Sequence, residues 1–246
     1  MLAERYEEGL HLGPWWAQAK VDGVRCTAVA AGGEVRLYSR QGKLLRGCEH
    51  IAAELEGRLP EGELLDGELY SHSLSFPEIV AAVNKGDCAE LYLVAFDSVR
   101  PAVPERYRRR WQRLQERVRG CRHVLPVPQL PAMICEPESV QAALREMLAQ
   151  GWEGLILRAD APWSPGRSED LLKLKPHCDA EFVVQSRQLT LSWSRVAVCR
   201  AANGKPFRVM VPRTVSDGDC ITVRYDGYTT TGLPKFPRFV SVRHYE

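Results

Sequence analysis

The residue pattern changes at Pro176, and this change constrains the fold more than any other feature of the chain. Beyond it, short apolar or alternating runs are separated by turns that contain glycine. The predicted strands are Glu181–Gln185, Arg195–Arg200, Phe207–Val211, Cys220–Tyr225 and Phe239–Val242. Several short strands with turn signals between them are typical of a small barrel, and five strands match an OB-fold. We therefore expect an all-β OB-fold domain over residues 178–246, after a larger domain over residues 1–177.

The larger domain mixes strand and helix patterns. Asp22-Gly23 and Gly32-Gly33 separate its first strands, as in β-hairpins. The predicted strands are Trp15–Val21, Arg25–Ala30, Glu34–Ser39, Glu63–Tyr70, Leu91–Phe96, Gly154–Arg158 and Asp170–Lys175. The predicted helices are Glu49–Arg58, Glu105–Arg119 and Pro137–Gln150, the last of them capped by Gly151. This mixture predicts an α+β domain with antiparallel sheets and flanking helices.

The helix predicted at Glu105–Arg119 carries two stripes at helical spacing. The apolar stripe predicts the packed face and consists of Tyr107, Trp111, Leu114 and Val118. The other stripe consists of Arg106, Arg110, Arg113 and Arg117. We expect the arginine stripe to face solvent, with a nucleic-acid contact as the alternative.

Charge and cysteine usage narrow the protein class. The net charge is only +2, but the segment from Asp179 onward holds ten Lys/Arg and six Asp/Glu, which favours a polyanionic partner.

The eight cysteines form no CxxC pair, so the sequence predicts neither a zinc site nor a redox motif, and we expect reduced thiols. No apolar run has the length of a signal peptide or a membrane span. We expect a cytoplasmic protein without membrane contact, and a removed leader peptide stays open.

The segment Lys20-Val21-Asp22-Gly23-Val24-Arg25 brings several chemically useful residues together. A deprotonated lysine amine can act as a covalent nucleophile. We expect Gly23 to allow a tight turn, and the guanidinium of Arg25 suits a phosphate group. A surface strand that ends in a turn would explain the same six residues.

Four later segments carry charged residues on strand patterns. Asp66 and Glu68 share one strand face, and Glu153 precedes an apolar strand. The other two segments are Ala95-Phe96-Asp97 and Leu172-Lys173-Leu174-Lys175, whose two lysines also share a face. Each segment alone is equally well explained by a salt-bridged strand end.

Together with Lys20, and in this order, these segments resemble the motifs of the covalent nucleotidyltransferase superfamily, which contains DNA ligases, RNA ligases and mRNA capping enzymes. Three more segments are similar to those of ATP-dependent DNA ligases: Tyr38-Ser39-Arg40-Gln41-Gly42, Gly166-Arg167-Ser168 and the run from Phe236 to Arg243. Nineteen residues precede Lys20, so the chain resembles the minimal two-domain bacterial and viral ligases. Where many relatives continue into Asp-Lys, this chain reads His244-Tyr245-Glu246.

The resemblance implies a reaction in three steps. Lys20 attacks the α-phosphate of ATP, AMP then passes to the 5′-phosphate at a nick, and the 3′-hydroxyl finally displaces AMP. The partner is then nicked double-stranded DNA, and we expect a monomer. Because a lysine amine is largely protonated at neutral pH, a nearby cation helps to free it. Lys173, Lys175 or a bound Mg²⁺ or Mn²⁺ could supply that charge.

The resemblance also implies roles for individual residues. Gln18 reads the adenine edge, Phe96 stacks on the base and Glu68 holds the ribose. Phosphates are bound by Arg25, Arg40 and Arg167. The metal carboxylate is Glu153, with Asp66 or Glu68 as further candidates. The residues expected at the DNA are Asp22, Ser39, Arg40, Phe76, Arg167 and Arg238.

Other classes remain alternatives. An RNA ligase or a capping enzyme uses the same lysine chemistry, and a capping enzyme prefers GTP. An NAD-dependent ligase normally has an additional N-terminal domain and a zinc module. The nineteen residues before Lys20 and the lack of a CxxC pair disfavour this class. An inactive nucleic-acid-binding module would not need Lys20, Glu68, Glu153, Lys173 and Lys175 together.

Overall fold

The structure is a computed structural model that describes residues 1–7, 14–189, 195–229 and 231–243. The chain divides into two compact units, Met1–Leu174 and Lys175–Glu246. The tripeptide His244-Tyr245-Glu246, singled out in the sequence, lies outside the described residues.

The first unit combines two sheets with helices. Its strands are β1 (Leu2–Arg5), β2 (Pro14–Lys20), β3 (Val24–Ala31), β4 (Glu34–Ser39), β5 (Leu64–Tyr70), β6 (Tyr92–Val99), β7 (Val124–Pro126), β8 (Met133–Ile134), β9 (Gly154–Ala159) and β10 (Arg167–Leu174). Its helices are α1 (Glu49–Leu55), α2 (Phe76–Lys85), α3 (Tyr107–Val118) and α4 (Pro137–Ala149). Gly151 follows α4 with a positive φ of 85°, as expected for the cap of this helix.

The two sheets of the first unit have five strands each among the described residues. One has the order β1-β10-β9-β2-β8, and the other has the order β4-β3-β5-β6-β7. The pairs β1–β10 and β6–β7 are parallel, and the other pairs are antiparallel. Most strand pairs are therefore antiparallel, as predicted, and each of the two parallel pairs includes an edge strand.

Each sheet of this unit has its own apolar core. Helix α4 packs on β9 and contributes Val140, Leu144 and Met147 to the core of the first sheet. The second sheet is covered on its core side by residues of α1, α2 and α3, including the fully buried Ile51 and Leu114. These buried side chains stabilise the strands that carry the charged motifs.

Helix α3 differs from the prediction on one face. Its apolar stripe is packed as expected, but Arg110, Arg113 and Arg117 also point into the protein. Arg110 is only 1% exposed and pairs with Asp97, while Arg117 pairs with Glu63. Arg106 is exposed as predicted, but the prediction was wrong for the other three arginines, because Asp97 of β6 and Glu63 just before β5 pair with them.

Helix α2 was not predicted, although the sequence carries its start signal. Ser75 and Glu78 form a reciprocal capping box, with Pro77 in the first turn. The short strands β1, β7 and β8 were also missed. In the described residues, no helix is both long enough and apolar enough to span a membrane.

The second unit is all-β. Its described strands are β11 (Cys178–Val183), β12 (Ser186–Leu189), β13 (Arg195–Arg200), β14 (Pro206–Met210), β15 (Cys220–Tyr225) and β16 (Arg238–Arg243). They form two sheets with the orders β11-β15-β16 and β12-β13-β14. The strand predicted at Glu181–Gln185 is observed as β11, which begins at Cys178 and ends at Val183, and β12 was not predicted. Both sheets contribute to one core that includes Phe207, Val209 and Ile221.

Candidate nucleotide-binding site

Lys20 stands at the end of β2, beside the start of β9. Lys20 and Gly154 are paired in the antiparallel register, so Glu153 lies next to the lysine side chain. The Nζ atom of Lys20 donates a hydrogen bond to a carboxylate oxygen of Glu153. The backbone N–H of Glu153 also donates to the carbonyl of Lys20 at 3.1 Å. Two residues from distant parts of the sequence are thus held against each other where β2 ends and β9 begins.

Gly23 is required for a different reason from the one predicted. Its φ is not positive; instead, its Cα lies so close to β5 that an added Cβ would be 2.4 Å from the carbonyl oxygen of Leu69. The N–H of Gly23 donates to Glu68 Oε2 at 3.0 Å. The glycine therefore permits a close approach to the next strand, while Asp22 beside it is exposed.

Glu68 lies opposite Arg25 in the β3–β5 register. Burial is the main reason why the pKa of Glu68 is raised to about 7, and the charge of Glu153 adds to this. The charges of Lys20 and Arg25 and the hydrogen bond from Gly23 act in the opposite direction. The carboxyl is thus poised to change its charge near neutral pH.

Arg25 is held by Asp66. Its Nε and Nη2 atoms donate to the two carboxylate oxygens of Asp66 at 2.7 and 2.5 Å. The Asp66 side chain is only 9% exposed, and burial raises its pKa although Arg25 opposes the shift. Both oxygens of Asp66 are thus engaged by the guanidinium of Arg25, and a metal-binding role for Asp66 stays a prediction.

Phe96 owes its position to an irregularity in β6. Asp66 pairs with Asp97 and Gly67 with Ala95, so Phe96 is the extra residue of a β-bulge. Bulges of this kind redirect a side chain. The ring lies 4.6 Å from the Arg25 guanidinium carbon and lines a cavity with Lys20.

This cavity has a volume of about 270 Å³ and lies within the first unit. Eight residues predicted from the sequence line it: Gln18, Lys20, Arg25, Arg40, Glu68, Phe96, Arg167 and Lys173. Its lining also includes Leu2, Ala3, Ile156, Arg158 and Leu171. A cavity with several cations and one aromatic ring suits an anionic ligand that carries a planar group.

Lys175 lies elsewhere than Lys173. It belongs to the second unit, where its Nζ is 2.6 Å from Asp226 and 5.6 Å from the centre of the Phe236 ring. Arg238 also approaches Asp226, at 3.5 Å. Lys173 lines the cavity of the first unit, and the role predicted for Lys175 stays a prediction.

Of the predicted DNA contacts, Arg40 and Arg167 line the cavity, whereas Asp22, Ser39, Phe76 and Arg238 are not among its lining residues. The Ser39 hydroxyl accepts backbone hydrogen bonds from Gln41 and Lys43 and so stabilises the turn that follows β4. Phe76 is the first residue of α2 and is 44% exposed. Their proposed roles at DNA stay predictions.

Sequence reasoning missed Arg158. It is the fifth residue of β9 and only 3% exposed, yet it lines the cavity and contacts Gln18 and Asp97. A lone arginine after the apolar run Leu155-Ile156-Leu157 was the available signal. Tyr107 and Gln129, which also bond to Gln18, carried no local signal because they lie 89 and 111 residues away from it.

Comparison with known proteins identifies relatives of this chain. Residues 1–175 match the family model described as the ATP-dependent DNA ligase domain. The DNA ligase of Enterobacteria phage T4 is 27% identical over 75% of this chain, and that of phage T6 is 28% identical over the same share. The alignments cover 50% of each phage protein, so the chain spans about half the length of the curated relatives it matches.

Solved structures with the same fold include a Lig E DNA ligase from work on DNA binding with a minimal scaffold. It is 21% identical, with a TM-score of 0.77 and 98% of each chain covered. Chlorella virus DNA ligase-adenylate is 23% identical, with a TM-score of 0.58 and coverage of 100% of this chain and 98% of the viral one. These likenesses confirm the predicted fold class, an α+β nucleotidyltransferase domain followed by an OB-like β domain.

Proposed function

The chain belongs to the family of ATP-dependent DNA ligase domains, and we propose that it seals nicks between a 5′-phosphate and a 3′-hydroxyl in duplex DNA. The observation that carries this proposal is the position of Lys20. Its amine is held by Glu153 at the edge of a cavity that also contains Glu68, Phe96 and several cationic side chains. This arrangement supplies a nucleophile, an aromatic surface for a base and positive charge for phosphates.

In the first proposed step, Lys20 Nζ attacks the α-phosphorus of ATP. A P–N bond forms, the bond to the β-phosphate oxygen breaks, pyrophosphate leaves and the amine loses a proton. Because this is an in-line displacement, positioning and charge stabilisation supply most of the catalysis. Arg40, Arg167 and Lys173 line the cavity and provide that charge. AMP then passes to the 5′-phosphate at the nick. The 3′-hydroxyl attacks this activated phosphate, and AMP leaves.

The donor set is compatible with Mg²⁺ or Mn²⁺. In the part of the chain that the structure describes, no three metal-binding side chains cluster together. Mg²⁺ is often bound through one or two carboxylates together with waters and substrate phosphates, and Glu153, beside Lys20, is our candidate for such a carboxylate. When bound, the metal supplies positive charge that favours the free amine of Lys20 and balances the phosphates.

The proposal is tested with the purified full chain, ATP, Mg²⁺ and a singly nicked DNA duplex. We expect a joined product on a denaturing gel and, without DNA, a mass increase of one AMP on the protein. Lys20→Arg keeps the positive charge but removes the nucleophilic amine, so it abolishes both signals. Lys85→Arg changes an exposed lysine outside the cavity and serves as the matched control.

Absence of both the AMP adduct and the joined product in the unmodified chain would refute the proposal. A nucleotide adduct formed from GTP but not from ATP would instead favour capping-type chemistry. Joining of RNA ends but not DNA ends would transfer the assignment to an RNA ligase.

A further inference from the structure

Two cysteine thiols meet in the apolar core of the second sheet. Cys48 precedes α1 and Cys88 follows α2, and the two residues are 2% and 1% exposed. Their Sγ atoms lie 3.8 and 3.6 Å from one shared acceptor, the carbonyl oxygen of Arg46. The two thiols also form a hydrogen bond with each other, and both are free. The two sulfur atoms are therefore direct neighbours.

The backbone beside each thiol is held by a close contact. Gly47 has a positive φ of 76°, and an added Cβ at this position would lie 2.0 Å from the carbonyl oxygen of Gly86. Gly86 itself caps α2 with a φ of 72°. Two glycines thus allow the segments that carry Cys48 and Cys88 to touch. A disulfide needs its two Cα atoms within about 7 Å of each other, and segments in backbone contact suit this requirement.

Burial decides when these thiols can react. It raises the pKa of both groups, and the hydrogen bond between them raises the pKa of Cys48 further but acts in the opposite direction on Cys88. The thiolate is the nucleophile in thiol–disulfide exchange, so the packed pair reacts slowly with an oxidant in solution. Before the core is packed, water and oxidant reach both sulfur atoms. The reactive period is thus the folding of the chain.

We propose that Cys48 and Cys88 are an oxidative modification site, at which exchange with a small-molecule disulfide during folding forms a disulfide bond that the packed core then shields. The thiolate of one cysteine attacks the reagent, forms a mixed disulfide and releases one small-molecule thiolate. The thiolate of the second cysteine attacks the protein sulfur of the mixed disulfide and releases the other. The protein pair is oxidised, the reagent is reduced to two thiols, and these take up the two cysteine protons.

The bond would join the start of α1 to the segment after α2. The loop closed in this way contains α1, β5 and α2. Because a disulfide lowers the entropy of the unfolded chain, and more so for a long loop, the cross-linked protein is harder to unfold. We expect its melting temperature to be higher than that of the reduced protein by about 5 °C or more.

The test follows the cross-link by mass. The full chain is unfolded in urea with a reductant and then refolded in a mixture of oxidised and reduced glutathione, and the remaining thiols are blocked with iodoacetamide. Trypsin then yields the peptides Gly47–Arg58 and Gly86–Arg106, each with one cysteine of the pair. We expect these two peptides, linked, as the main disulfide product. In the folded chain the same oxidant should form the link at least about tenfold more slowly.

Three variants separate this pair from the other cysteines. Cys48→Ala should lose both the linked peptides and the rise in melting temperature under oxidising conditions. Cys135→Ala, a buried cysteine in the core of the other sheet, is the matched control and should keep both. Cys26→Ala should also keep both, although Cys26 belongs to the same core as the pair. Melting temperatures under reducing conditions show that each variant is folded.

Four results would overturn the proposal. The linked peptides could be absent or a minor product after refolding, or Cys26 could be the main disulfide partner of Cys48 or Cys88. The cross-linked chain could melt at the same temperature as the reduced chain or below it, which would mean that the folded core does not accommodate the bond. Equal rates of linking in the folded and the refolding chain would show that the core gives no protection.

Discussion

Replacing Glu68 with glutamine tests the electrostatics of the cavity. The pKa of Glu68 is raised from 4.5 to about 7, chiefly by burial, so the folded state holds its proton more tightly than the unfolded chain. A carboxyl whose pKa is raised by folding stabilises the fold at pH values below its pKa in the unfolded chain. This contribution is lost as the pH rises through its pKa in the folded state. Over these 2.5 pH units the loss amounts to about 3 kcal/mol.

Glu68→Gln keeps an acceptor for the N–H of Gly23 but cannot ionise. We therefore expect the variant and the wild type to have nearly equal free energies of unfolding near pH 4.5. Their difference should grow with pH, and the variant should be more stable by up to about 3 kcal/mol above pH 7. The same substitution at the exposed Glu116 on α3 is the control and should give a small difference that does not change with pH.

Urea unfolding of the full chain at several pH values between 4.5 and 8 measures these differences. Five of the six tryptophans belong to the first unit, so their fluorescence reports mainly on the unit that contains Glu68. A variant that becomes less stable than the wild type as the pH rises would refute the reasoning. It would mean that Lys20 and Arg25 stabilise the ionised carboxylate by more than burial costs.

Two further substitutions test other contacts of the first unit. Gly23→Ala places a Cβ 2.4 Å from the Leu69 carbonyl oxygen. We expect the free energy of unfolding in urea to fall by about 1–3 kcal/mol and AMP attachment to become slower. If both values stayed unchanged, a steric role for this glycine would be excluded. Glu63→Ala removes a fully buried carboxylate that pairs with Arg100 and Arg117, and we expect a loss of about 3 kcal/mol at pH 7. Burial raises the pKa of Glu63, but hydrogen bonds from Arg117, Ser98 and Arg100 outweigh it and hold the pKa below its usual value. Its contribution should therefore vanish as the pH falls through the acid range, and a penalty that instead grew toward acid pH would contradict this explanation.

The sequence predicted what depends on local pattern. The alternating pattern around Lys20 indicated a strand, and the apolar stripe of α3 indicated a packed helix. The change of pattern at Pro176 indicated the two-part architecture. Helix α2 was missed although Phe76, Ile79 and Val83 follow helical spacing and Ser75 with Glu78 marks its start. That signal was present in the sequence and was not used.

The remaining errors come from contacts between distant segments. The arginines of α3 form a regular polar stripe, and only the fold places Asp97 and Glu63 beneath them. Gly23 has a motif position that suggests a turn, but the carbonyl of Leu69 on β5 explains it. The partners of Gln18 lie 89 to 140 residues away, so no spacing rule could have identified them.

The pairing of β2 with β9 has a consequence for how the protein matures. Lys20 and Glu153 are 133 residues apart, and most of the first unit must exist before they can meet. Contacts of such long sequence separation form slowly during folding, because a long loop must close first. At a synthesis rate of about 5–20 residues per second, roughly 10 s pass on the ribosome between the synthesis of Lys20 and that of Glu153. A chain released before residue 153 therefore carries Lys20 but not the carboxylate that binds its amine in the folded unit.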